Sequence, residues 1–130
     1  MAEGKAPPLG TFCWTELMTR DAAAAKKFYG ELLGWTFKDD DISGMTYTMF
    51  TPPGAERPIG GLMQMGGPQF EGVPPHWLSY ILVDNVDERA KRCTKLGGAV
   101  KVPPMDIPKI GRFCVIQDPT GAVIALFQSA

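Results

Sequence analysis

The hydrophobic and polar positions of this chain follow two periods, which alternate in the same order twice. Residues 11–18 and 77–83 have the period-two pattern of a strand, and each stretch is followed by helical spacing, over residues 21–34 and 85–97. Strand-like stretches rich in β-branched and aromatic residues come after each helix. They are residues 35–38, 45–50 and 59–65 in the first block and residues 99–102, 112–117 and 122–128 in the second. The pattern therefore predicts the order β-α-β-β-β twice.

Both predicted helices have clear ends. Asp21 and Asn85 suit the N-cap position, where a short polar side chain accepts a hydrogen bond from an N–H group of the first turn. Gly34 and Gly97 suit the end of a helix, where the left-handed conformation is favoured. The apolar positions predict one buried stripe on each helix. The stripes consist of Phe28, Leu32 and Leu33 on the first helix and of Val86, Ala90, Cys93 and Leu96 on the second.

The last predicted strand, residues 122–128, carries no charge and is apolar on both faces. It follows a turn at residues 118–121, in which Pro119 fixes φ and Gly121 permits a positive φ. A strand with two apolar faces lies inside a sheet that is covered on both sides. Ala125 is at the centre of this strand, so its surroundings bear on the function.

An internal repeat relates the two blocks. Asn85 lies 64 positions after Asp21, and the same offset relates other positions without a gap. These are Leu32 with Leu96, Gly34 with Gly98, and Leu62 with Leu126. We therefore predict an α+β fold in one domain over residues 1–130. Module one spans residues 11–65, module two spans residues 76–128, and a Gly/Pro-rich linker, residues 66–75, joins them.

Composition excludes several classes of function. The chain has 130 residues, of which 45% are hydrophobic, and a net charge of -1, without the basic stripe that a nucleic-acid-binding surface needs. No apolar run approaches the roughly 18 residues of a membrane span, and residues 1–8 lack the apolar core of a signal peptide. The cysteines Cys13, Cys93 and Cys114 are an odd number at wide spacing, which indicates reduced thiols and predicts a cytoplasmic location.

Three segments resemble the vicinal oxygen chelate superfamily, which includes glyoxalase, extradiol dioxygenases, fosfomycin resistance transferases and bleomycin resistance proteins. Asp21 with residues 28–35 (FYGELLGW) is similar to the family's D…FY…LLGW segment, and residues 83–87 and 118–121 match as well. Residues 108–113 further resemble a glyoxalase-like, hydroxylase-type subgroup. The resemblance extends from about Thr11 to Gln128. It implies two β-α-β-β-β modules whose strands curl into the two halves of a cleft, with the helices outside.

The resemblance also implies where a divalent metal would bind. Metal-dependent members take one ligand from the first strand and one from the fourth strand of each module. In this chain the corresponding positions are Trp14, Gly61, Leu78 and Ala125. None of them has the imidazole or carboxylate group that divalent metals of this class require. We therefore expect no metal, no other cofactor and no metal-dependent glyoxalase activity.

Glu16 and Tyr80 are the candidate catalytic residues. Glu16 is two residues after Trp14, so both side chains face the same side of the strand, which is the predicted cleft side. Tyr80 is its partner in the repeat. Glu16 is interpreted either as the partner of Arg112 or a lysine at the cleft mouth, or as a desolvated general base beside a phenol. His76, the single histidine, is interpreted as a surface or linker residue.

Two hypotheses of function remain open. In the first, a metal-free cleft binds a small, partly apolar molecule. The predicted lining consists of Trp14, Glu16, Met63, Leu78, Tyr80, Leu82, Ala125 and Phe127. In the second, the protein is an enzyme that uses Glu16 and Tyr80 as acid and base, or a relocated metal. Because open curled sheets leave edges that a second copy can cover, we also predict a homodimer, with no nucleic-acid or membrane partner.

Overall fold

The computed structural model describes residues 7–42 and 44–130, which form two compact units. The N-terminal unit comprises residues 14–78, and the C-terminal unit comprises residues 79–130 with residues 7–13. Each unit contains a mixed sheet and one helix, so the predicted α+β class is confirmed. Residues 1–6, most of the segment predicted not to be a signal peptide, lie outside the described residues. Neither of the described helices is long and apolar enough to cross a membrane.

The sheet of the N-terminal unit has the strand order β2-β3-β4-β1. Strand β1 pairs with β4 in parallel, and the two other neighbouring pairs are antiparallel. The elements of this unit are β1 (Phe12–Thr19), α1 (Ala22–Leu33), β2 (Thr36–Ile42), β3 (Met45–Thr51), β4 (Gly60–Gln64) and a 3₁₀ turn (Pro68–Phe70). The 3₁₀ turn lies within the predicted linker.

The C-terminal unit repeats this arrangement, with the strand order β5-β8-β7-β6 and a parallel β5–β8 pair. Its elements are β5 (His76–Leu82), of which residues 76–78 belong to the N-terminal unit, α2 (Val86–Lys95), β6 (Ala99–Ile107), β7 (Gly111–Gln117) and β8 (Val123–Ser129). The register follows the predicted offset, because Glu16 pairs with Gly61 in one unit and Tyr80 pairs with Ala125 in the other. The internal repeat is therefore confirmed.

The helix ends are close to those predicted. Asp21 Oδ1 accepts a hydrogen bond from the Ala24 N–H group at 3.0 Å, and Asn85 Oδ1 accepts one from the Glu88 N–H group at 3.0 Å. Gly34 ends α1 in the left-handed conformation, with a φ of 73°. Helix α2 ends at Lys95, two residues earlier than predicted.

The predicted buried stripe of α1 is wrong. Tyr29 and Lys26, rather than the most apolar positions, orient the helix on its sheet. The Tyr29 ring stacks on Trp35 with the ring centroids 5.5 Å apart, and Lys26 Nζ forms an ion pair with Asp39 Oδ1 at 3.0 Å. The side of the helix that carries Tyr29 and Lys26 therefore faces these partners, and other side chains point outward. Those exposed are Phe28, Leu32 and Leu33.

The predicted stripe of α2 is correct at its beginning and wrong at its end. Val86 and Ala90 are buried against the sheet together with Cys114 and Leu126. Leu96 is exposed because α2 ends one residue before it.

Three strands differ from the prediction at their ends. Val123 is exposed, so β8 is not covered on both faces at its start. Strand β2 continues to Ile42, four residues beyond the predicted end at residue 38, and residue 43 lies outside the described residues. Strand β6 continues to Ile107 with two irregularities in its register, one between Val100 and Val102 and one between Val102 and Met105. The second contains Pro103 and Pro104, which provide no N–H donor to the ladder.

An aromatic cluster forms the helix-side core of the N-terminal unit. Phe50 is 2% exposed and stacks on Trp35, with ring centroids 4.1 Å apart and an interplanar angle of 2°. Trp77 meets the Phe50 ring edge-on at 6.1 Å. A Cβ atom at Gly60 would overlap the Phe50 ring and the Thr15 carbonyl oxygen. The glycine therefore permits close packing within the sheet.

Candidate functional site

Glu16 is a buried carboxylate on β1, only 7% exposed. Its partner in the parallel β1–β4 register is Gly61. The Tyr47 hydroxyl, on β3, donates a hydrogen bond to Glu16 Oε2 at 2.7 Å. Burying a carboxylate is unfavourable unless hydrogen bonds or opposite charges compensate for the lost water. The Tyr47 hydrogen bond supplies part of this compensation.

Trp14 contributes to the same hydrogen-bonded group. Its Nε1–H donates to the Tyr47 hydroxyl oxygen at 2.8 Å. Trp14 and Glu16 therefore lie on the same face of β1, as the period-two alternation predicts. Because an indole N–H group is only a donor, the Tyr47 oxygen accepts from Trp14 and its single proton is directed to Glu16.

The Tyr47 phenol is neutral at physiological pH. Burial and the neighbouring Glu16 charge raise the pKa of Tyr47 well above its ordinary value, while the hydrogen bond from Trp14 acts in the opposite direction. A phenol with such a pKa is a hydrogen-bond donor and not a base. Within this group, Glu16 is the residue that is able to accept a proton.

Gly61 makes room for the Tyr47 ring. Tyr47 is diagonal to Gly61, since Met49 is the register partner of Gly61 in the β3–β4 pair. A Cβ atom at position 61 would overlap Oη, Cζ and Cε2 of Tyr47. Sequence reasoning missed the role of Tyr47. The signal that could have found it is an aromatic residue diagonal to a glycine on the neighbouring strand.

Methionine side chains lie on the same face of the sheet as the Glu16 carboxylate. Met18 and Met63 are register partners, two pairs along from Glu16 and Gly61, and therefore lie on the same face as that pair. Met49 follows Tyr47 by two residues and therefore faces the same side. Methionine side chains are flexible and adapt to varied apolar shapes. The predicted contact residue Met63 is half-buried in this setting.

The C-terminal unit carries the matching set of predicted site residues on β5 and β8. Tyr80 pairs with Ala125 and Leu82 pairs with Phe127. Tyr80 and Ala125 are buried, whereas Leu82 and Phe127 are half-buried. The Tyr80 ring centroid is 6.3 Å from that of Phe113 on β7.

Sequence-based predictions also concern Leu78, His76 and Arg112. Leu78 is buried on β5. His76 begins the same strand, and its Nδ1 atom is 2.9 Å from the Pro74 carbonyl oxygen. Arg112 forms ion pairs with Asp87 at 2.8 Å and with Asp106 at 3.0 Å, and its predicted pairing with Glu16 stays a prediction.

The residues present do not fit a divalent ion at the positions that the resemblance implies. The Trp14 N–H group donates to Tyr47, and the space beside Gly61 is filled by the Tyr47 ring. Leu78 and Ala125 have hydrocarbon side chains. Within residues 7–42 and 44–130, no group of three or more His, Cys, Asp or Glu side chains is placed to hold a metal ion.

The repeated β-α-β-β-β units define the chain as a member of a family with paired modules. The family model described as Glyoxalase/Bleomycin resistance protein/Dioxygenase superfamily matches residues 11–126. The chain belongs to this superfamily.

Comparisons with individual proteins give the degree of similarity. The chain is 42% identical over 122 residues to "Putative glyoxylase CFP32" of Mycobacterium tuberculosis, covering 92% of this chain and 46% of the relative. It is 32% identical over 136 residues to "Anthracycline biosynthesis protein DnrV" of Streptomyces peucetius, covering 92% of this chain and 47% of the relative. The chain thus spans about half the length of these relatives.

Solved structures support the fold. The crystal structure of methylmalonyl-CoA epimerase from Mycobacterium tuberculosis matches with a TM-score of 0.63. That match covers 98% of this chain and 94% of the epimerase chain at 16% sequence identity. At this identity the similarity establishes the fold and not the reaction.

Proposed function

We propose that this domain binds a small, partly apolar molecule without a metal ion, and that Glu16 is its polar anchor in the N-terminal unit. The observation that supports this function is the buried Glu16 carboxylate, which accepts a hydrogen bond from Tyr47 on a face of the sheet that also carries methionines. Binding sites for small molecules combine apolar walls with a few well-placed polar groups. The proposed contacts remain Trp14, Glu16, Met63, Leu78, Tyr80, Leu82, Ala125 and Phe127.

Native mass spectrometry tests the proposal on protein purified without chelator. We expect a co-purified organic molecule of low mass, and elemental analysis is expected to find far less than one equivalent of nickel, zinc, manganese or iron. About one equivalent of any of these metals, retained through dialysis, would contradict the metal-free proposal.

A neutral apolar dye, Nile red, tests the position of the site. We expect its fluorescence enhancement to be lost in Met63→Lys, because a lysine would place a charge beside the proposed apolar wall. Met105→Lys is the matched control, since Met105 is exposed on β6. Equal enhancement in the two variants would refute the proposed position.

A second candidate function is acid/base catalysis by Glu16 with Tyr80. The observation in its favour is that Glu16 is buried beside the neutral phenol of Tyr47, because desolvation and a fixed donor are common devices for tuning a catalytic carboxylate. Turnover that disappears in Glu16→Gln while ligand affinity is retained would favour the enzyme over the binding protein. Activity that appears only after addition of metal would favour the relocated-metal version.

We also propose that the domain pairs with a second copy of itself through α1. Its outward face carries Phe28 and Leu32, with Lys27 and Glu31 beside them. In an antiparallel pair related by a twofold axis, Lys27 of one copy can face Glu31 of the other, which makes the surface self-complementary in charge. A cytoplasmic location remains a prediction.

A further inference from the structure

We propose that Tyr47 is a positioning residue that fixes the orientation of Glu16, and that Trp14 and Gly61 exist to hold Tyr47 in that place. As far as ligand binding is concerned, the inference rests on the proposed function. The hydrogen-bonded group itself does not depend on it. Trp14 and Gly61 correspond to metal-ligand positions in the family that the chain resembles. In this chain Trp14 donates a hydrogen bond to Tyr47, and Gly61 leaves space for the Tyr47 ring.

The directions of two hydrogen bonds determine how Tyr47 acts on Glu16. Trp14 Nε1–H has no acceptor capacity, so its 2.8 Å contact requires the Tyr47 oxygen to accept. Tyr47 then has one proton left, which it donates to Glu16 Oε2 over 2.7 Å. Glu16 Oε2 is therefore held as the acceptor of the Tyr47 proton.

The absence of a side chain at Gly61 gives the Tyr47 ring its path to Glu16. The Tyr47 ring and hydroxyl lie where a side chain at position 61 would begin. Gly61 is also the register partner of Glu16, so the phenol reaches the carboxylate by crossing the β4 backbone at this glycine. A larger residue at position 61 would displace the phenol from both of its hydrogen-bond partners.

The indole N–H signals of a ¹⁵N-labelled sample report on this group directly. We expect Tyr47→Phe to move the Trp14 Hε1 signal upfield, because the acceptor is lost while the ring remains. We expect Glu16→Gln to move the same signal upfield by less, because a phenol that donates to a neutral amide is a weaker acceptor. A Trp14 signal unchanged in Glu16→Gln would overturn the proposal, since Tyr47 would then only fill space.

Matched controls come from the same spectra. The Hε1 signals of Trp35 and Trp77 should keep their positions in both variants, because these indoles lie in the aromatic cluster around Phe50. Glu31→Gln should leave all three indole signals unchanged, since Glu31 is exposed on α1. Movement of all signals in every variant would indicate a general structural change and would contradict the specific role.

Urea denaturation tests the role of Gly61. Overpacking a closed site is destabilising, so we expect Gly61→Ala to lower the unfolding midpoint by about 1 M in the wild-type background. In the Tyr47→Ala background the ring is gone, and Gly61→Ala should lower the midpoint by much less. Equal effects in the two backgrounds would show that Tyr47 does not occupy the space at position 61.

A cationic aromatic probe, 1-naphthylmethylamine, links the positioning role to binding. We expect Glu16→Gln to weaken its binding about tenfold, the effect of losing a charge-assisted hydrogen bond. Tyr47→Phe should weaken binding by a smaller factor and should have no further effect in Glu16→Gln. Absence of binding by the wild type would count against Glu16 as a ligand anchor, while the indole signals would still decide the positioning role.

Discussion

Replacing Phe50 by alanine is the most direct test of the core that supports the candidate site. Phe50 is 2% exposed, stacks on Trp35 at 4.1 Å and meets Trp77 edge-on at 6.1 Å. Truncating a buried phenylalanine typically costs about 3–5 kcal/mol, because the hydrophobic burial is lost and a cavity remains. Each aromatic pair adds about 0.5–1.5 kcal/mol beyond its buried area. Because the range for whole-side-chain truncation already includes such lost ring contacts, we expect a loss of about 4 kcal/mol, the middle of that range.

Urea denaturation followed by far-ultraviolet circular dichroism measures this loss. A change of about 4 kcal/mol corresponds to a midpoint shift of about 2 M for a chain of this size. Phe12→Ala is the matched control, since Phe12 is 67% exposed and its removal should cost less than about 0.5 kcal/mol. A loss below about 1 kcal/mol in Phe50→Ala, or equal losses in the two variants, would refute the packing described here.

Three other predictions concern the helix cap, the surface ion pair and the oligomeric state. Asp21→Ala should cost about 1 kcal/mol in chemical denaturation because the Ala24 N–H group loses its acceptor, whereas Asp40→Ala should have little effect. The hydrogen bond from Arg112 lowers the pKa of Asp87, so this pair stabilises the fold above the unfolded-state pKa of about 4. Its contribution is lost as pH falls through the lower folded-state pKa, and the difference in urea midpoint between wild type and Asp87→Asn should therefore be present at pH 7 and disappear in acid. Light scattering should give twice the 14.1 kDa chain mass for the wild type and a monomer for Leu32→Glu, while a wild-type monomer at micromolar concentration would contradict the α1 pairing.

Local chemistry in the sequence determined most of the fold. The N-caps Asp21 and Asn85 place the starts of both helices, because a cap acts on N–H groups only a few residues away. The offset of 64 positions predicted the repeated module, and the registers Glu16–Gly61 and Tyr80–Ala125 reproduce it. Alternation also placed Trp14 and Glu16 on one face of β1, since successive side chains of a strand point to opposite sides.

Only the tertiary structure decided the contacts that give the candidate site its character. Tyr47 is 31 residues from Glu16 in the chain, and their hydrogen bond depends on the register of three strands and on the space at Gly61. The rotation of α1 was also undetermined, because it depends on the contacts that Tyr29 makes with Trp35 and Lys26 makes with Asp39, beyond the end of the helix. Hydrophobic periodicity reports how often apolar residues recur, but which partner each face meets is set by residues distant in sequence.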